Sequence, residues 1–124
     1  MQNESKTNIG NPFLPLDKYI PDGEPHVFGD RVYLFGSQDE ENGEEFCPLD
    51  YVGYSAPVDN LSAWRCEGTI YRREQDPRKE AFLYAPDAVR GNDGRYYLYY
   101  TTEKFSEPLR VAVCDEPAGQ YQFY

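Results

Sequence analysis

One sequence pattern occurs twice in the chain, and it constrains the fold more than any other feature. The first copy is PDGEPHVFGDRVYLF, beginning at Pro21, and the second is YAPDAVRGNDGRYYLYY, beginning at Tyr84. Each copy contains Pro-Asp, then a turn with glycine, then the alternating residues that are typical of a strand. The two aspartates, Asp22 and Asp87, lie 65 positions apart, which indicates a structural unit that recurs.

The strand pattern around these copies predicts an all-β fold. In the first unit we expect strands at about 25 to 28, 31 to 37, 51 to 56 and 64 to 72. The second unit repeats this order and ends inside or just short of its fourth strand, and the polar run EQDPRKE connects the two. No window keeps helical spacing over three turns.

Four strands joined hairpin after hairpin are typical of a β-propeller blade. We therefore predict a β-propeller fragment of about two four-stranded antiparallel blades within a partial domain, 1–124. Its predicted parts are a lead-in (1–19), blade I (20–76) and an incomplete blade II (81–124). An ordinary β-sandwich with accidental similarity between its halves is the alternative.

Composition limits the classes of partner. Aromatic residues make up 16% of the chain, with 12 Tyr and 7 Phe, which favours strands over helices. Twelve basic residues against 22 acidic ones give a formal charge of -10, which repels nucleic-acid phosphates and anionic membranes. We expect no nucleic acid and no membrane as partner. Neutral sugars are compatible with this charge, although the charge could also serve only to keep the chain in solution.

The amino terminus and the cysteines indicate the compartment. The opening MQNESKTNIGNPF lacks the charged start and apolar run of a secretory signal. Cys47, Cys66 and Cys114 match no CxxC pattern, and their odd number predicts reduced thiols. We therefore expect a cytoplasmic location and no zinc. The acidic loop DEENGEE lacks the alternating spacing of a calcium loop, so no metal site is predicted in this chain.

The first strand of each propeller blade lines the central channel, so equivalent residues in successive blades face a common axis. Asp22 and Asp87 occupy that equivalent position. Carboxyl groups that face one another shift each other's proton affinity, and such pairs catalyse glycoside hydrolysis. We therefore predict that Asp22 and Asp87 are catalytic.

The segments PDGEPHVFGDRVYLF, DNLSAW and LYAPDAVRGNDGRYYLYYTTEK resemble glycoside hydrolase family 43, whose five-bladed propellers include β-xylosidases and α-L-arabinofuranosidases. The resemblance covers the chain from Asn11 onward and implies the N-terminal portion of such an enzyme. It implies hydrolysis of terminal xylose or arabinose with inversion, in which Asp22 matches the general base and Asp87 the aspartate that orients the acid. The family's general acid is a glutamate on the third blade, so we expect two blades alone to be inactive.

Three further residues are predicted to bind substrate. Phe46 ends a long loop that in relatives contributes to the floor of the sugar pocket, and it is predicted to form an apolar wall. Tyr84 stands where relatives often carry an aromatic residue. His26, four positions after Asp22, either touches the pocket or has a half-buried, hydrogen-bonded structural role.

The resemblance also implies cofactors and partners. It implies an oligosaccharide substrate and no required cofactor, with calcium possible in the full-length protein through ligands that lie mostly on other blades. Two blades of five expose apolar blade faces, which predicts docking of the remaining blades or self-association. Two alternatives stay open, namely a non-catalytic carbohydrate-binding module and a self-assembling half-propeller.

Overall fold

The structure, a computed structural model, describes residues 12–78, 81–104 and 106–124. These residues form two antiparallel sheets of four strands, and in each sheet the strands pair in sequence order. Sheet 1 contains β1 (Glu24–Phe28), β2 (Arg31–Gly36), β3 (Tyr51–Pro57) and β4 (Arg65–Tyr71), and sheet 2 contains β5 (Leu83–Arg90), β6 (Tyr96–Thr102), β7 (Arg110–Cys114) and β8 (Gln122–Phe123). The prediction of an all-β chain built from two four-stranded units is confirmed. Residues 1–11 of the predicted lead-in lie outside the described residues.

A short 3-10 turn, Arg73–Gln75, follows β4. Across the described ranges, no helix is long and apolar enough to span a bilayer.

The two glycine turns that the repeat aligned differ in length. Phe28 pairs with Arg31, so only Gly29 and Asp30 form the turn between β1 and β2, and Gly29 has a φ of 64°. In sheet 2 the loop runs from residue 91 to 95 and is closed by a 2.8 Å hydrogen bond from the Gly91 N–H to the Arg95 carbonyl. Both turns need a glycine because the left-handed region is costly for residues with a Cβ. The strands of the two units therefore resemble each other more closely than the loops that join them.

The inner faces of the two sheets, defined as the faces turned toward one another, pack together into the main core. Side chains alternate along each strand, so every second residue points into this core. The buried members from sheet 1 are Phe35, Tyr51, Ile70 and Tyr71, and those from sheet 2 and its loops are Leu83, Ala88, Leu98, Tyr100, Ala112, Cys114 and Tyr121. The Tyr71 and Tyr100 hydroxyls hydrogen-bond across the sheets at 2.9 Å, which fixes the two sheets relative to one another.

The outer face of sheet 1 is covered by the chain that leads into β1. Leu14 and Ile20 pack on a second core of Leu34, Val52 and Tyr54, and the Phe13 ring packs at a tilt against Trp64, with centroids 5.0 Å apart. Gly36 makes room for this cover, since a Cβ there would lie 2.1 Å from Ile20 Cγ2. The lead-in segment therefore covers part of this face, so the expectation that both terminal blade faces are exposed holds only in part for sheet 1, where Val27 remains 60% exposed.

The outer face of sheet 2 is open. Val89, Tyr99 and Tyr124 are 49%, 41% and 70% exposed. Tyr124 packs edge-on against Tyr97 at 5.7 Å and extends this apolar surface. The expectation of an exposed apolar face therefore applies most clearly to sheet 2, whose outer face has no such cover among the described residues.

The polar connector between the sheets contains a fully buried charge. Asp76 has no exposed surface. Its Oδ1 accepts 2.9 Å hydrogen bonds from the backbone N–H and Nε of Arg78, and its Oδ2 accepts a 2.6 Å bond from the Tyr100 hydroxyl. Burial raises the pKa of Asp76, but the hydrogen bonds from Arg78 and Tyr100 outweigh it and lower the pKa to about 2. The connector is thereby anchored to sheet 2.

Candidate active site

A cavity of about 300 Å³ opens where the turn before β1, the loop between β2 and β3, and the strands β5 and β6 meet. It is lined by Pro21, Asp22, Phe46, Cys47, Tyr84, Ala85 and Thr101. Three of the five site residues predicted from sequence therefore come together here: Asp22, Phe46 and Tyr84. They lie in different elements of the chain, so only the fold brings them to one place.

Asp22 lies in the turn that precedes β1 and is exposed. The residues on either side fix this turn against β2. Ile20 fills the space above Gly36, and a Cβ at Gly23 would lie 2.9 Å from Leu34 Cδ1, so the chain passes very close to that strand. This close packing holds the Asp22 backbone at the edge of the cavity and leaves its carboxylate free to face solvent or a ligand.

The end of the β2–β3 loop forms the floor and the rim of the cavity. Cys47 is buried and has a φ of 53°, and its N–H donates a 2.7 Å hydrogen bond to Asp39 Oδ1 that holds this conformation. Burial raises the pKa of the Cys47 thiol, and the carboxylates of Asp39 and Asp22 raise it further. The thiol is therefore a neutral floor group. Phe46, 74% exposed, stands at the rim.

Tyr84 lines the cavity from β5. The register between β5 and β6 shifts between Leu83 and Pro86, and such bulges redirect side chains. The Tyr84 carbonyl accepts a hydrogen bond from the Tyr51 hydroxyl, which ties this irregular segment to sheet 1. Burial raises the pKa of the Tyr84 phenol, with further contributions from Cys47 and Glu103, so Tyr84 presents a neutral hydroxyl.

Asp87 and His26 form a pair beside the cavity. Asp87 lies three residues beyond Tyr84 in β5, and His26 lies four residues beyond Asp22 in β1. His26 Nε2 is 2.5 Å from Asp87 Oδ1, which also accepts a 2.9 Å hydrogen bond from the Ala88 N–H. The side chain of Asp87 is 64% exposed and that of His26 is 30% exposed. The structure thus places neither residue in the cavity wall but joins them across the two sheets.

Sequence reasoning missed two parts of this site. Thr101 lines the cavity because the β5–β6 pairing places its neighbour Thr102 opposite Leu83, and the predicted hairpin register could have indicated this. Cys47 gave no signal, since a single cysteine without a partner pattern reads as a core residue. The hydrogen bond between His26 and Asp87 joins residues 61 positions apart and depends on how the two sheets pack.

Comparison with known proteins gives the family. The chain is 57% identical over 117 residues to the xylosidase/arabinosidase of Thermoclostridium stercorarium, a match that covers 92% of this chain and 24% of that protein. It is 33% identical over 113 residues to xylosidase/arabinosidase 43A of Humicola insolens, covering 83% of this chain and 34% of that protein. The GH43_1 enzyme from Xanthomonas citri complexed with xylose superimposes with a TM-score of 0.76 and 26% identity, over 95% of this chain and 35% of that one. The chain belongs to glycoside hydrolase family 43.

The family 43 match is partial with respect to the relatives. The chain spans about a quarter of the length of the Thermoclostridium stercorarium protein and about a third of the Humicola insolens protein. No family model matches the chain. The Xanthomonas citri enzyme has also been solved with xylotriose, with a TM-score of 0.75 to this chain. These structural neighbours are family 43 enzymes, in agreement with a propeller fragment of two blades.

The cavity of this family 43 chain has the size and lining of a small sugar site. Ligand cavities begin at about 300 Å³, and a volume of about that size suits one monosaccharide unit. The rings of Phe46 and Tyr84 provide apolar faces on which the C–H groups of a sugar can pack. Among the described residues, Asp22 supplies the single carboxylate in the wall. The lining thus combines one acid or base group with two aromatic side chains.

Proposed function

We propose that this family 43 chain supplies two of the three carboxyl groups for the hydrolysis of terminal xylose or arabinose from oligosaccharides, with inversion. Asp22 acts as the general base, and Asp87 orients the general acid. The observation that supports this most is the shared cavity, which Asp22 lines together with Phe46 and Tyr84. The match to xylosidase/arabinosidases over 92% of the chain supports the sugar class.

The chemistry follows from this assignment. Asp22 removes a proton from a water molecule, which attacks the anomeric carbon on the face opposite the leaving group. The leaving oxygen takes a proton from a carboxylic acid about 6.5 to 9.5 Å from the base. We assign that acid to a glutamate on a third blade, supplied by polypeptide other than these 124 residues. The reaction moves protons and no electrons, so it requires no redox cofactor, and calcium, where present, would be held mostly by other blades.

A hybrid enzyme tests the proposal. In this hybrid the chain replaces the aligned segment of the Thermoclostridium stercorarium xylosidase/arabinosidase, to which it is 57% identical. We expect the hybrid to hydrolyse an aryl xyloside or arabinoside, and Asp22→Asn to lower kcat by about 100-fold to 10,000-fold because the water loses its base. Asp30→Asn, an exposed carboxylate in the β1–β2 turn, is the matched control and should retain activity.

Two results would contradict the proposal. One is an active hybrid in which Asp22→Asn has no more effect than Asp30→Asn. The other is turnover by the 124-residue chain alone that Asp22→Asn abolishes, since this would show that no third-blade acid is needed.

A second candidate function is sugar binding without catalysis. It is favoured by the exposure of Phe46, which is 74% exposed and lines the same cavity as Tyr84, so that its ring is available to pack on a sugar. Calorimetry of the 124-residue chain with xylo-oligosaccharides measures this directly. Binding that Phe46→Ala weakens, together with an inactive hybrid, would favour the binding module over the hydrolase.

The open outer face of sheet 2 supports a further proposal about partners. Its exposed side chains, Val89, Tyr99 and Tyr124, form an apolar surface that either another propeller blade or a second copy of the chain would cover. Because residues 12–20 cover the outer face of sheet 1, copies cannot add head to tail into a ring without displacing them. Self-association of the isolated chain should therefore stop at a dimer, which light scattering over a range of concentrations measures.

A further inference from the structure

We propose that His26 is a positioning residue that fixes the carboxylate of Asp87, an inference that rests on the function proposed above. The two side chains come from the first strands of different sheets and meet at 2.5 Å between His26 Nε2 and Asp87 Oδ1. Within the described parts of the chain, Asp87 accepts only one other hydrogen bond, from the adjacent Ala88 N–H. His26 is thus the side chain that determines where this carboxylate points.

The imidazole of His26 is itself held in place. Its ring stacks on Phe28, with centroids 5.8 Å apart and planes inclined by 13°. Phe28 in turn meets Tyr96 of sheet 2 edge-on at 5.0 Å and packs against the main core. Alternation along β1 puts His26 and Phe28 on the same inner face, turned toward sheet 2. The donor to Asp87 is therefore anchored by both sheets.

This contact gives the two carboxylate oxygens of Asp87 different roles. A carboxylate only accepts hydrogen bonds, so Nε2 of His26 carries the proton that is shared with Oδ1. Oδ2 is left without a protein partner among the described residues, on a side chain that is 64% exposed. An exposed aspartate without an anchor samples several rotamers. With Oδ1 fixed by His26, Oδ2 is presented in one direction to the acid that Asp87 orients.

Kinetics of the hybrid enzyme test this role. We expect His26→Phe to lower kcat about tenfold to 100-fold with little change in KM, because a small displacement of an aligned group is costly. His26→Gln, which retains an N–H donor, should recover part of the loss. Val27→Thr alters a residue of β1 that is 60% exposed and points to the opposite face, and it should leave kcat unchanged.

A double-mutant cycle separates positioning from other roles. If His26 acts through Asp87, His26→Phe has no further effect on kcat in the Asp87→Asn background. If His26 binds the sugar, KM rises and the effect persists in that background, which contradicts the inference. If His26 only joins the sheets, the free energy of unfolding falls while kcat stays unchanged, which also contradicts it.

The cycle also distinguishes failure of the inference from failure of the proposed function. Unchanged kcat in Asp87→Asn would overturn the function assigned to Asp87. Lowered kcat in Asp87→Asn with unchanged kcat in His26→Phe would overturn the positioning role alone.

The hydrogen bond can be observed without activity. His26 is the single histidine of the chain, so NMR of the 124-residue protein shows one imidazole. We expect a downfield ring N–H proton that is protected from exchange and that disappears in Asp87→Asn. Absence of this proton in the folded wild-type chain, or its persistence in Asp87→Asn, would contradict the contact.

Discussion

Replacing Asp76 by asparagine should destabilise the chain more than any other single carboxylate-to-amide change among the described residues. Asp76 is fully buried and accepts hydrogen bonds from Arg78 and Tyr100. Arg110 lies nearby, with its Nε 3.7 Å from Asp76 Oδ2. The substitution keeps the shape of the side chain and removes the charge that these groups surround.

The size of the effect follows from the pKa of Asp76. The pKa falls from its ordinary value of 3.8 to about 2 in the folded chain. At about 1.4 kcal/mol per pH unit, this difference corresponds to roughly 2 kcal/mol of folding free energy at neutral pH. Among the described residues, the amide variant leaves Arg78 and Arg110 with Glu107 as their one carboxylate partner. Removing one member of a buried ion pair costs about 3 to 5 kcal/mol. We therefore expect Asp76→Asn to lower the free energy of unfolding by about 2 to 5 kcal/mol.

Urea unfolding at pH 7 measures the loss, with Asp115→Asn as the matched control. Asp115 accepts a 2.9 Å hydrogen bond from Arg95 Nε, but its side chain is 83% exposed, so its ion pair should contribute less than about 1 kcal/mol. Equal free energies of unfolding for the two variants would refute the reasoning, because burial would then not change how much a carboxylate contributes to stability.

The same network predicts how stability depends on pH. Because the folded pKa of Asp76 is depressed, its contribution is fully present above about pH 4 and is lost as the pH falls toward 2. The wild-type chain should therefore lose stability in this window, and Asp76→Asn should lack this part of the loss. Parallel curves for the two proteins between pH 5 and pH 2 would contradict the assignment.

Three further substitutions have definite expected outcomes. Tyr100→Phe removes a hydrogen bond to buried Asp76 and should cost about 1 to 3 kcal/mol of unfolding free energy, measured by denaturation. Gly36→Ala should cost about 1 to 3 kcal/mol because its Cβ would meet Ile20 at 2.1 Å, and Ile20→Ala should relieve most of that cost in the double variant. Phe46→Ala should weaken xylo-oligosaccharide binding by calorimetry without lowering the free energy of unfolding, since the side chain is 74% exposed.

The strands were predictable because their signal is local. Alternation in RVYLFG and YYLYYTT reflects one buried face, and the glycine turns mark the hairpins, so the eight strands follow from the sequence in nearly the right places. The repeat predicted that Asp22 and Asp87 are equivalent, whereas in the structure Asp22 precedes β1 and Asp87 lies within β5. Loop lengths were less predictable. Residues 29–30 and 91–95 carry similar turn residues, yet the loops that they form differ in length.

The remaining features depend on contacts between distant segments. Asp76 lies in a run of charged residues that indicates a solvated connector, and its burial depends on Tyr100 and Arg110, which follow much later in the chain. The bond between His26 and Asp87 likewise requires the relative placement of two sheets. The cover on sheet 1 depends on Ile20 fitting over Gly36, which no periodic pattern reveals.

A crystal structure of the hybrid enzyme with xylose tests the central claim most directly. We predict that the sugar lies in the cavity between Phe46 and Tyr84, and that the Asp22 carboxylate faces its anomeric carbon at a distance that leaves room for one water molecule. Xylose bound elsewhere, or bound in this cavity with its anomeric carbon turned away from Asp22, would contradict the assignment of Asp22 as the base.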